Sequence, residues 1–166
     1  VQLFGMPEAV FADIATLRTG GKVDDYFIIH LMKPARMPEV KITLKASYLM
    51  CENEPRFVLH GTEGSYVKYG LDPQEADLTK GMLPDTPHWG EEDESQWGIL
   101  HTETDGNVVR KPYPTLPGNY AAFYENIYQH IRNGAVLQSD ACGVLGVIRL
   151  IEAAWESSRT GNVIKL

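Results

Sequence analysis

Short glycine-containing connections between strand-like runs limit this chain to antiparallel β structure more firmly than any other feature of its sequence. The runs Phe57–His60 and Ser65–Tyr69 flank the four residues Gly61-Thr-Glu-Gly64, and glycine enters positive φ without a steric penalty. Two further runs lie on either side of Asp105-Gly106, which is a hairpin signal. Because parallel strands need a crossover of about a dozen residues, both pairs are predicted to be antiparallel hairpins.

Three more strands are predicted outside these hairpins. Tyr26–Met32 is apolar on both of its faces, which indicates a central strand that is covered on both sides. Lys41–Leu49 alternates between apolar and polar residues, so one face should be core and the other should meet polar surroundings or a partner. Asn162–Leu166 is predicted to add an edge strand.

Two amphipathic helices are predicted near the end of the chain. Asn119 is a candidate N-cap for the first, and Ser139 or Asp140 for the second, which ends by Gly161. Glycines inside the second helix favour a close approach to the sheet, namely Gly143 and Gly146. The apolar stripe of the first helix is predicted to be core: Tyr120, Phe123, Tyr124, Ile127 and Ile131. The stripe of the second is Val144, Leu145, Ile148, Ile151 and Trp155.

The beginning of the chain indicates a helix end. Leu3-Phe4-Gly5 is followed by Met6-Pro7, which is the order expected when glycine terminates a helix and proline lies just beyond it. We therefore expect the body of that helix upstream of Val1, in a longer parent protein.

Length and composition bound the class of protein. At 166 residues the chain suits one domain, residues 1–166. The predicted class is α+β, with an open, mostly antiparallel β-sheet and helices packed on one face. A net charge of −7 disfavours nucleic acid and anionic membranes as partners, and no apolar run approaches the ~20 residues of a membrane span. The two cysteines fit a reducing compartment, so a cytoplasmic location is expected.

Familiar catalytic signatures are missing from the sequence. It contains no Gly-x-Gly-x-x-Gly, Walker, His-Glu-x-x-His or Gly-x-Ser-x-Gly motif. The loop after His60 lacks the lysine and the following helix of a phosphate-binding loop, so it is interpreted as a turn. The histidines lack the spacing of metal ligands, and no metal is predicted. Those in strand-like runs are interpreted as structural: His30, His60 and His101.

The long loop Lys80–Gln96 offers the best candidates for a binding site, since long loops in compact domains tend to be functional or disordered. His88 and Trp89 lie beside Glu91 and would form a lid over a substrate; the alternative is a solvated or partner-packed loop. The acidic run Glu91–Glu94 taken alone is interpreted as solvated. Tyr120 is the fourth candidate, if its hydroxyl faces a ligand rather than the core.

Several soft motifs, in a fixed order, resemble the C-terminal domain of the Gfo/Idh/MocA oxidoreductases, the family of glucose-fructose oxidoreductase and inositol dehydrogenase. The resemblance covers essentially the whole chain. Its motifs are Leu3-Phe-Gly-x-Pro7, Phe57-Val-Leu-His-Gly-Thr-Glu-Gly-Ser65, Tyr69-Gly-Leu-Asp-Pro-Gln-Glu75, Gly118-x-Tyr-x-x-Phe-Tyr124 and Ile151-Glu-Ala-Ala-x-Glu-Ser-Ser158.

This resemblance implies an open antiparallel sheet like that of the glyceraldehyde-3-phosphate dehydrogenase C-terminal domain, with its bare face paired to another subunit. It also implies an N-terminal Rossmann domain in the parent that carries NAD or NADP. The family's catalytic Glu-Lys-Pro motif and Gly-x-x-x-Asp-x-x-x-His stretch precede its Leu-Phe-Gly segment, and neither occurs here. No catalytic or cofactor-binding residue is therefore assigned, and the chain alone is expected to be inactive.

The sequence supports two alternative functions. The first is the substrate-side and oligomerisation domain of an NAD(P)-dependent oxidoreductase acting on a sugar, cyclitol or related polyol. The second is a stand-alone α+β binding or scaffold protein that associates through the same sheet.

Overall fold

The computed structural model describes residues 1–166 and contains eight strands and three helices. This confirms the α+β class. In chain order the elements are β1 (Pro7–Ala15), β2 (Tyr26–Pro34), β3 (Ile42–Ser47), β4 (Phe57–His60), β5 (Gly64–Lys68), α1 (Gln74–Thr79), β6 (Gly98–Thr104), β7 (Asn107–Tyr113), α2 (Ala121–Asn133), α3 (Ala141–Thr160) and β8 (Ile164–Lys165).

The chain forms two compact units. The terminal unit combines Val1–Cys51 with Gln138–Leu166, and the central unit is Glu52–Leu137. Each has one four-stranded sheet, in the order β3-β2-β1-β8 and β4-β5-β6-β7 respectively. Every pairing is antiparallel. The predicted antiparallel pairing is confirmed, and the strands divide between two sheets.

In the terminal unit, α3 packs against β1 and supplies half of the residues of a small core. Because side chains alternate along a strand, Val10 and Ala12 share the β1 face that meets the helix. They cluster with Leu31 of β2 and with three residues of α3, namely Leu150, Ala153 and Ala154. The Ser157 hydroxyl accepts a hydrogen bond from the Ala12 N–H at 3.0 Å, which fixes the helix to the strand. As predicted, β2 is an inner strand and β8 an edge strand.

A buried carboxylate closes the connection between β1 and β2. Asp25 is 6% exposed and accepts hydrogen bonds from the Leu17 N–H at 2.7 Å and from Arg18 Nε at 2.8 Å. The Leu17 N–H, and then the Arg18 side chain, hold the pKa of Asp25 below its ordinary value of 3.8. The ionised carboxylate therefore fixes the two residues that lead into the glycine-containing turn at Thr19–Lys22.

In the central unit both predicted hairpins form. The Gly61 N–H donates to the Gly64 carbonyl at 2.8 Å, so the four-residue connection closes as a turn. At the second hairpin, Asp105 and Gly106 both have positive φ, at 51° and 76°. This is the conformation for which an Asp-Gly pair is favoured.

The two predicted apolar stripes are not the buried faces of their helices. On α2, Tyr124 and Ile131 are 70% and 73% exposed, and on α3, Val144 and Trp155 are 56% and 54% exposed. The buried face of α3 is instead Leu150, Ala153, Ala154 and Ser157. The small side chains of Ala153, Ala154 and Ser157 let the helix lie close to β1, so the larger apolar residues point away. Which face of the helix is buried therefore depends on how it packs and not on the periodicity of its apolar residues.

The close approach expected at the α3 glycines is wrong. A Cβ built on Gly143 meets only the Asp140 side chain, at 3.3 Å, and one on Gly146 meets only Met6 Sδ, at 3.9 Å. Asp140 is the N-cap, as predicted, because its carboxylate accepts from the Gly143 N–H. The N-cap of α2 is Tyr120, which makes no capping side-chain bond, so the N-cap prediction for Asn119 is wrong by one residue. The Asn119 side chain accepts a hydrogen bond from the Ala122 N–H at 3.0 Å and so still bonds the first turn of the helix.

No helix has the length and apolar character that a membrane crossing requires. Cys51 and Cys142 are both exposed and unpaired.

Candidate functional site

The loop between α1 and β6 is anchored to the central unit by a buried amide. Gln74, at the start of α1, is 1% exposed, and its Oε1 accepts a hydrogen bond from Trp89 Nε1 at 2.8 Å. The same oxygen accepts from the Tyr120 N–H, also at 2.8 Å. One amide oxygen thus brings together Trp89 and Tyr120, which are 31 positions apart in the sequence.

The Gln74 side chain is itself oriented by the residue two positions before it. Asp72 Oδ1 accepts from the Gln74 N–H at 2.9 Å, and Asp72 Oδ2 accepts from Gln74 Nε2 at 2.8 Å. An aspartate that bonds the backbone two residues on forms an Asx-turn, which favours a turn before a helix. The Asp72-Pro-Gln74 sequence therefore fixes which end of the amide faces the loop.

The backbone beside Gln74 has no room for side chains. A Cβ on Gly118 would lie 2.1 Å from Gln74 Nε2, and one on Gly90 would lie 2.4 Å from the Gly118 carbonyl oxygen. The Gly118 N–H donates to the Gly90 carbonyl at 3.1 Å. These two glycines allow the loop and the segment before α2 to touch directly.

A second buried group ties the same loop to β5. Lys68 Nζ lies 2.8 and 2.6 Å from the two carboxylate oxygens of Glu92, and their side chains are 9% and 3% exposed. It also donates to the Gln96 carbonyl at 2.9 Å and to Thr115 Oγ1 at 3.4 Å. The interpretation of the acidic run as solvated is therefore wrong at Glu92. Its carboxylate balances a buried ammonium, which would be costly to leave unpaired.

The other two predicted residues lie at the surface. His88 Nδ1 is 3.0 Å from Glu91 Oε2, and their side chains are 82% and 53% exposed. His88 has a φ of +63° and Gly90 one of +73°, so left-handed residues flank Trp89. A positive φ is uncommon for histidine and is found most often at functional or tightly turned positions. His88 and Glu91 pair with each other and are not joined to the Gln74 network.

Two depressions border this network within the central unit. A cleft of about 280 Å³ includes Lys68, Asp72, Gly90 and Glu92 among its walls, with Arg56 beside them. A groove of about 450 Å³ runs along α2 and presents aromatic and apolar side chains: Leu78, Pro84, Tyr120, Tyr124 and Tyr128. We call this second depression the tyrosine groove. Tyr120 belongs to it and, through its backbone N–H, to the Gln74 network.

The polar groups of the site are satisfied internally. No buried side-chain nitrogen or oxygen lacks a hydrogen-bond partner. The Ser95 hydroxyl and N–H hold the pKa of Asp93 below its ordinary value of 3.8, which keeps that carboxylate ionised as the cap of the 3-10 turn Glu94–Gln96. No group of three or more His, Cys, Asp or Glu side chains is arranged to hold a metal ion.

Comparison with known sequences identifies the family. The C-terminal alpha/beta domain of the Gfo/Idh/MocA oxidoreductase family matches residues 2–166. The chain belongs to this family. Among curated relatives, it is 34% identical over 166 residues to scyllo-inositol 2-dehydrogenase (NADP(+)) IolW of Bacillus subtilis. It is 34% identical over 159 residues to the uncharacterized oxidoreductase YdgJ of Escherichia coli. The alignments cover 100% and 96% of this chain but only 45% and 44% of those proteins.

Solved structures of Gfo/Idh/MocA relatives share the fold. A Bacteroides fragilis protein described as an oxidoreductase superposes with a TM-score of 0.94 at 61% identity, over 99% of this chain and 49% of its own. The yvaA protein of Bacillus subtilis, described likewise, gives 0.91 at 35% identity over 99% and 48%. This Gfo/Idh/MocA chain therefore spans about half the length of the relatives it matches.

The sequence pattern marks Trp89 and Tyr120 as candidates but does not indicate the residues that hold them in the structure. The pattern gives no sign of Gln74 because a glutamine in the first turn of a short helix is normally exposed. It gives no sign of Lys68 because a lysine at the end of a strand usually faces water. The Asx-Pro sequence at Asp72 was the one local signal, since it predicts a turn that places the following residue.

Proposed function

We propose that residues 1–166 form, as one domain, the substrate-side and oligomerisation part of an NAD(P)-dependent oxidoreductase that acts on a sugar, cyclitol or related polyol. The main support for this proposal is the family match over residues 2–166, together with a relative named as an NADP-dependent scyllo-inositol dehydrogenase. Because the chain spans 45% of that relative, the remainder of the parent supplies a separate cofactor domain. The parent is cytoplasmic, in keeping with its two unpaired cysteines.

A dinucleotide does not fit the residues of this chain. Its pyrophosphate is normally held by a glycine-rich turn between a strand and a helix of a parallel βαβ unit. Both sheets here are wholly antiparallel, and no buried polar atom is left without a partner. The cofactor site is therefore assigned to the N-terminal domain of the parent.

The substrate-facing residues are His88, Trp89, Glu91 and Tyr120. An aromatic wall with a few polar groups suits a hydroxylated ring, because the ring carbons pack on aromatic faces while hydroxyls exchange hydrogen bonds. The tyrosine groove has this character. Gln74 acts as a positioning residue, since it fixes the Trp89 indole and the Tyr120 backbone.

The test uses the full-length parent and residues 1–166 side by side. We expect the parent to reduce NAD or NADP when supplied with inositols or aldoses, and the shorter chain to show no turnover. Titration calorimetry of residues 1–166 with NADH and NADPH should show no appreciable binding. Tight nicotinamide binding to residues 1–166 would contradict the assignment of the cofactor to another domain.

Oligomerisation is proposed through the sheet face of the terminal unit that points away from α3. That face carries Phe11, Ile28, His30 and Met32, of which Phe11 and Met32 are 36% and 37% exposed. Burying this face against a second copy would stabilise the dimer by about 25 cal/mol for each Å² of apolar surface removed from water. Light scattering should find a dimer or larger for the parent and a smaller species for Met32→Lys. Val108→Lys, on exposed β7, is the matched control.

A further inference from the structure

One formal charge lies among the residues of the tyrosine groove, and it is negative. Glu125 is charged, whereas the other lining residues are apolar or aromatic: Leu78, Pro84, Ala121 and the three tyrosines. The face of an aromatic ring is the negative end of its quadrupole, so the rings and the carboxylate attract the same kind of ligand. The net charge of −7 on the chain adds to this field. The groove therefore favours a cation and disfavours an anion.

The aromatic wall of the groove comes from one face of α2. Tyr120, Tyr124 and Tyr128 are spaced four residues apart, and residues at this spacing share a helix face. Their exposed fractions are 39%, 70% and 55%. The cation that stacks on a ring in this structure is Arg18, over Tyr48, and neither residue lines the groove. The three groove tyrosines are therefore open to a cation from solution.

The Glu125 carboxylate is held in place from one side. Its Oε1 accepts a hydrogen bond from Gln129 Nε2 at 2.7 Å, and Gln129 Oε1 accepts one from Asn133 Nδ2. These three residues are also spaced four apart, so the chain of hydrogen bonds runs along α2 beside the tyrosines. Glu125 Oε2 bonds no other group of the protein. One carboxylate oxygen is thus oriented, and the other is available to a ligand.

The cations nearest to the groove do not neutralise Glu125. Lys80, which follows α1, is paired with Asp77 at 3.3 Å. Arg132 lies seven residues beyond Glu125, about 10 Å along the helix axis, and does not line the groove. Asp85, which follows a lining proline in the sequence, adds negative charge. A ligand cation would therefore meet a carboxylate that the protein leaves uncompensated.

We propose that the tyrosine groove binds the protonated amine of an amino-substituted sugar or cyclitol. Glu125 Oε2 accepts a hydrogen bond from the ammonium group, and the tyrosine rings face the cation and the ring carbons. The groove volume of about 450 Å³ lies within the roughly 300–1,000 Å³ of small-ligand pockets. This inference rests on the proposed function, which places a hydroxylated ring here, and narrows its substrate class to aminated rings.

Matched pairs of ligands test the preference in the full-length parent. Titration calorimetry compares glucosamine with glucose, and the monoamine of scyllo-inositol with scyllo-inositol, at slightly acidic pH, where an amine is protonated. In at least one pair the amine should bind at least about fivefold more tightly than the alcohol. N-acetylglucosamine, which keeps the nitrogen but loses the charge, should bind no more tightly than glucose.

Three substitutions assign the preference to the groove. Glu125→Gln keeps the size of the side chain and should reduce the preference for the amine to about twofold or less, with the affinity for the alcohol unchanged. Glu152→Gln, on α3, is the matched control and should keep the full preference. Tyr124→Leu removes one aromatic face and should lower the preference at least about twofold. Urea unfolding verifies that each variant folds.

Equal affinity of the unsubstituted parent for amine and alcohol in both pairs would overturn the proposal without any variant. A preference that survives Glu125→Gln would overturn it as well. Dehydrogenase activity with inositols and aldoses is recorded on the same preparation. An active parent that binds amines no better than alcohols defeats only the amine site. An inactive parent with a preference that depends on Glu125 defeats only the proposed function.

Discussion

The Lys68 ammonium lies 2.6 Å from Glu92 Oε2, with the two side chains 9% and 3% exposed. This pair ties the last part of the Lys80–Gln96 loop to β5. Because Gln96 and Thr115 also bond the ammonium, one charged group joins three separate segments of the central unit. The loop that carries the candidate site is therefore held by buried polar contacts.

Removing one member of this ion pair should strongly destabilise the protein. Lys68→Met leaves the Glu92 carboxylate buried without a counter-charge, a change that costs about 3–5 kcal/mol. Urea unfolding at neutral pH measures it. Lys80→Met, which breaks the exposed pair with Asp77, should cost less than about 1 kcal/mol. Similar small losses for both variants would show that the buried charges do not depend on each other.

The Gln74 amide should matter through the groups that it satisfies. Gln74→Leu leaves the Trp89 indole N–H and the Tyr120 backbone N–H without their acceptor, at about 1–3 kcal/mol for each donor that stays buried. Trp89→Phe removes one donor and keeps the amide, so it should cost less. Urea unfolding gives both free energies. A larger loss for Trp89→Phe than for Gln74→Leu would mean that packing of the indole outweighs the amide.

Ionisation of Asp25 should make the free energy of unfolding depend on pH in the acidic range. Its folded pKa lies below 3.8, so the ionised carboxylate stabilises the fold above about pH 3.8 and this contribution is lost as the pH falls through the folded pKa. Asp25→Asn places an amide donor beside the N–H groups of Leu17 and Arg18 and should lower stability at about pH 7. The difference in unfolding free energy between Asp25→Asn and the unsubstituted protein should shrink at about pH 3. Exposed Asp24→Asn should show little effect at either pH.

The Tyr120 hydroxyl should contribute to substrate binding in the full-length parent. Gln74 bonds the Tyr120 backbone, so Tyr120→Phe leaves that network intact and removes only the hydroxyl. Loss of one hydrogen bond worth about 0.5–1.5 kcal/mol should raise KM roughly two- to tenfold with little change in kcat. Trp89→Ala should raise KM at least as much. Tyr113→Phe, on β7, is the control and should leave KM unchanged. An unchanged KM for both Tyr120→Phe and Trp89→Ala would remove these two residues from the substrate site.

The sequence by itself determined the class of fold and the local geometry of its connections. Short connections between strand-like runs fix antiparallel pairing because they cannot make a parallel crossover, and the Asp105-Gly106 pair adopts the positive φ values of a tight hairpin turn. The cap at Asp140 could be predicted because it acts over three residues. The positive φ of Gly5, +80°, is a local feature of the same kind. Each of these signals is complete within a few neighbouring positions.

Only the tertiary structure decided which side chains are buried and which meet. Apolar periodicity selected the wrong face of α3, because close contact with β1 required the small residues Ala153 and Ala154. Lys68 with Glu92 and Gln74 with Trp89 are partners 24 and 15 positions apart, and no local pattern connects them. Burial of polar groups depends on partners that folding brings together. The division of the strands into two sheets likewise follows from long-range pairing, which the hairpin signals do not contain.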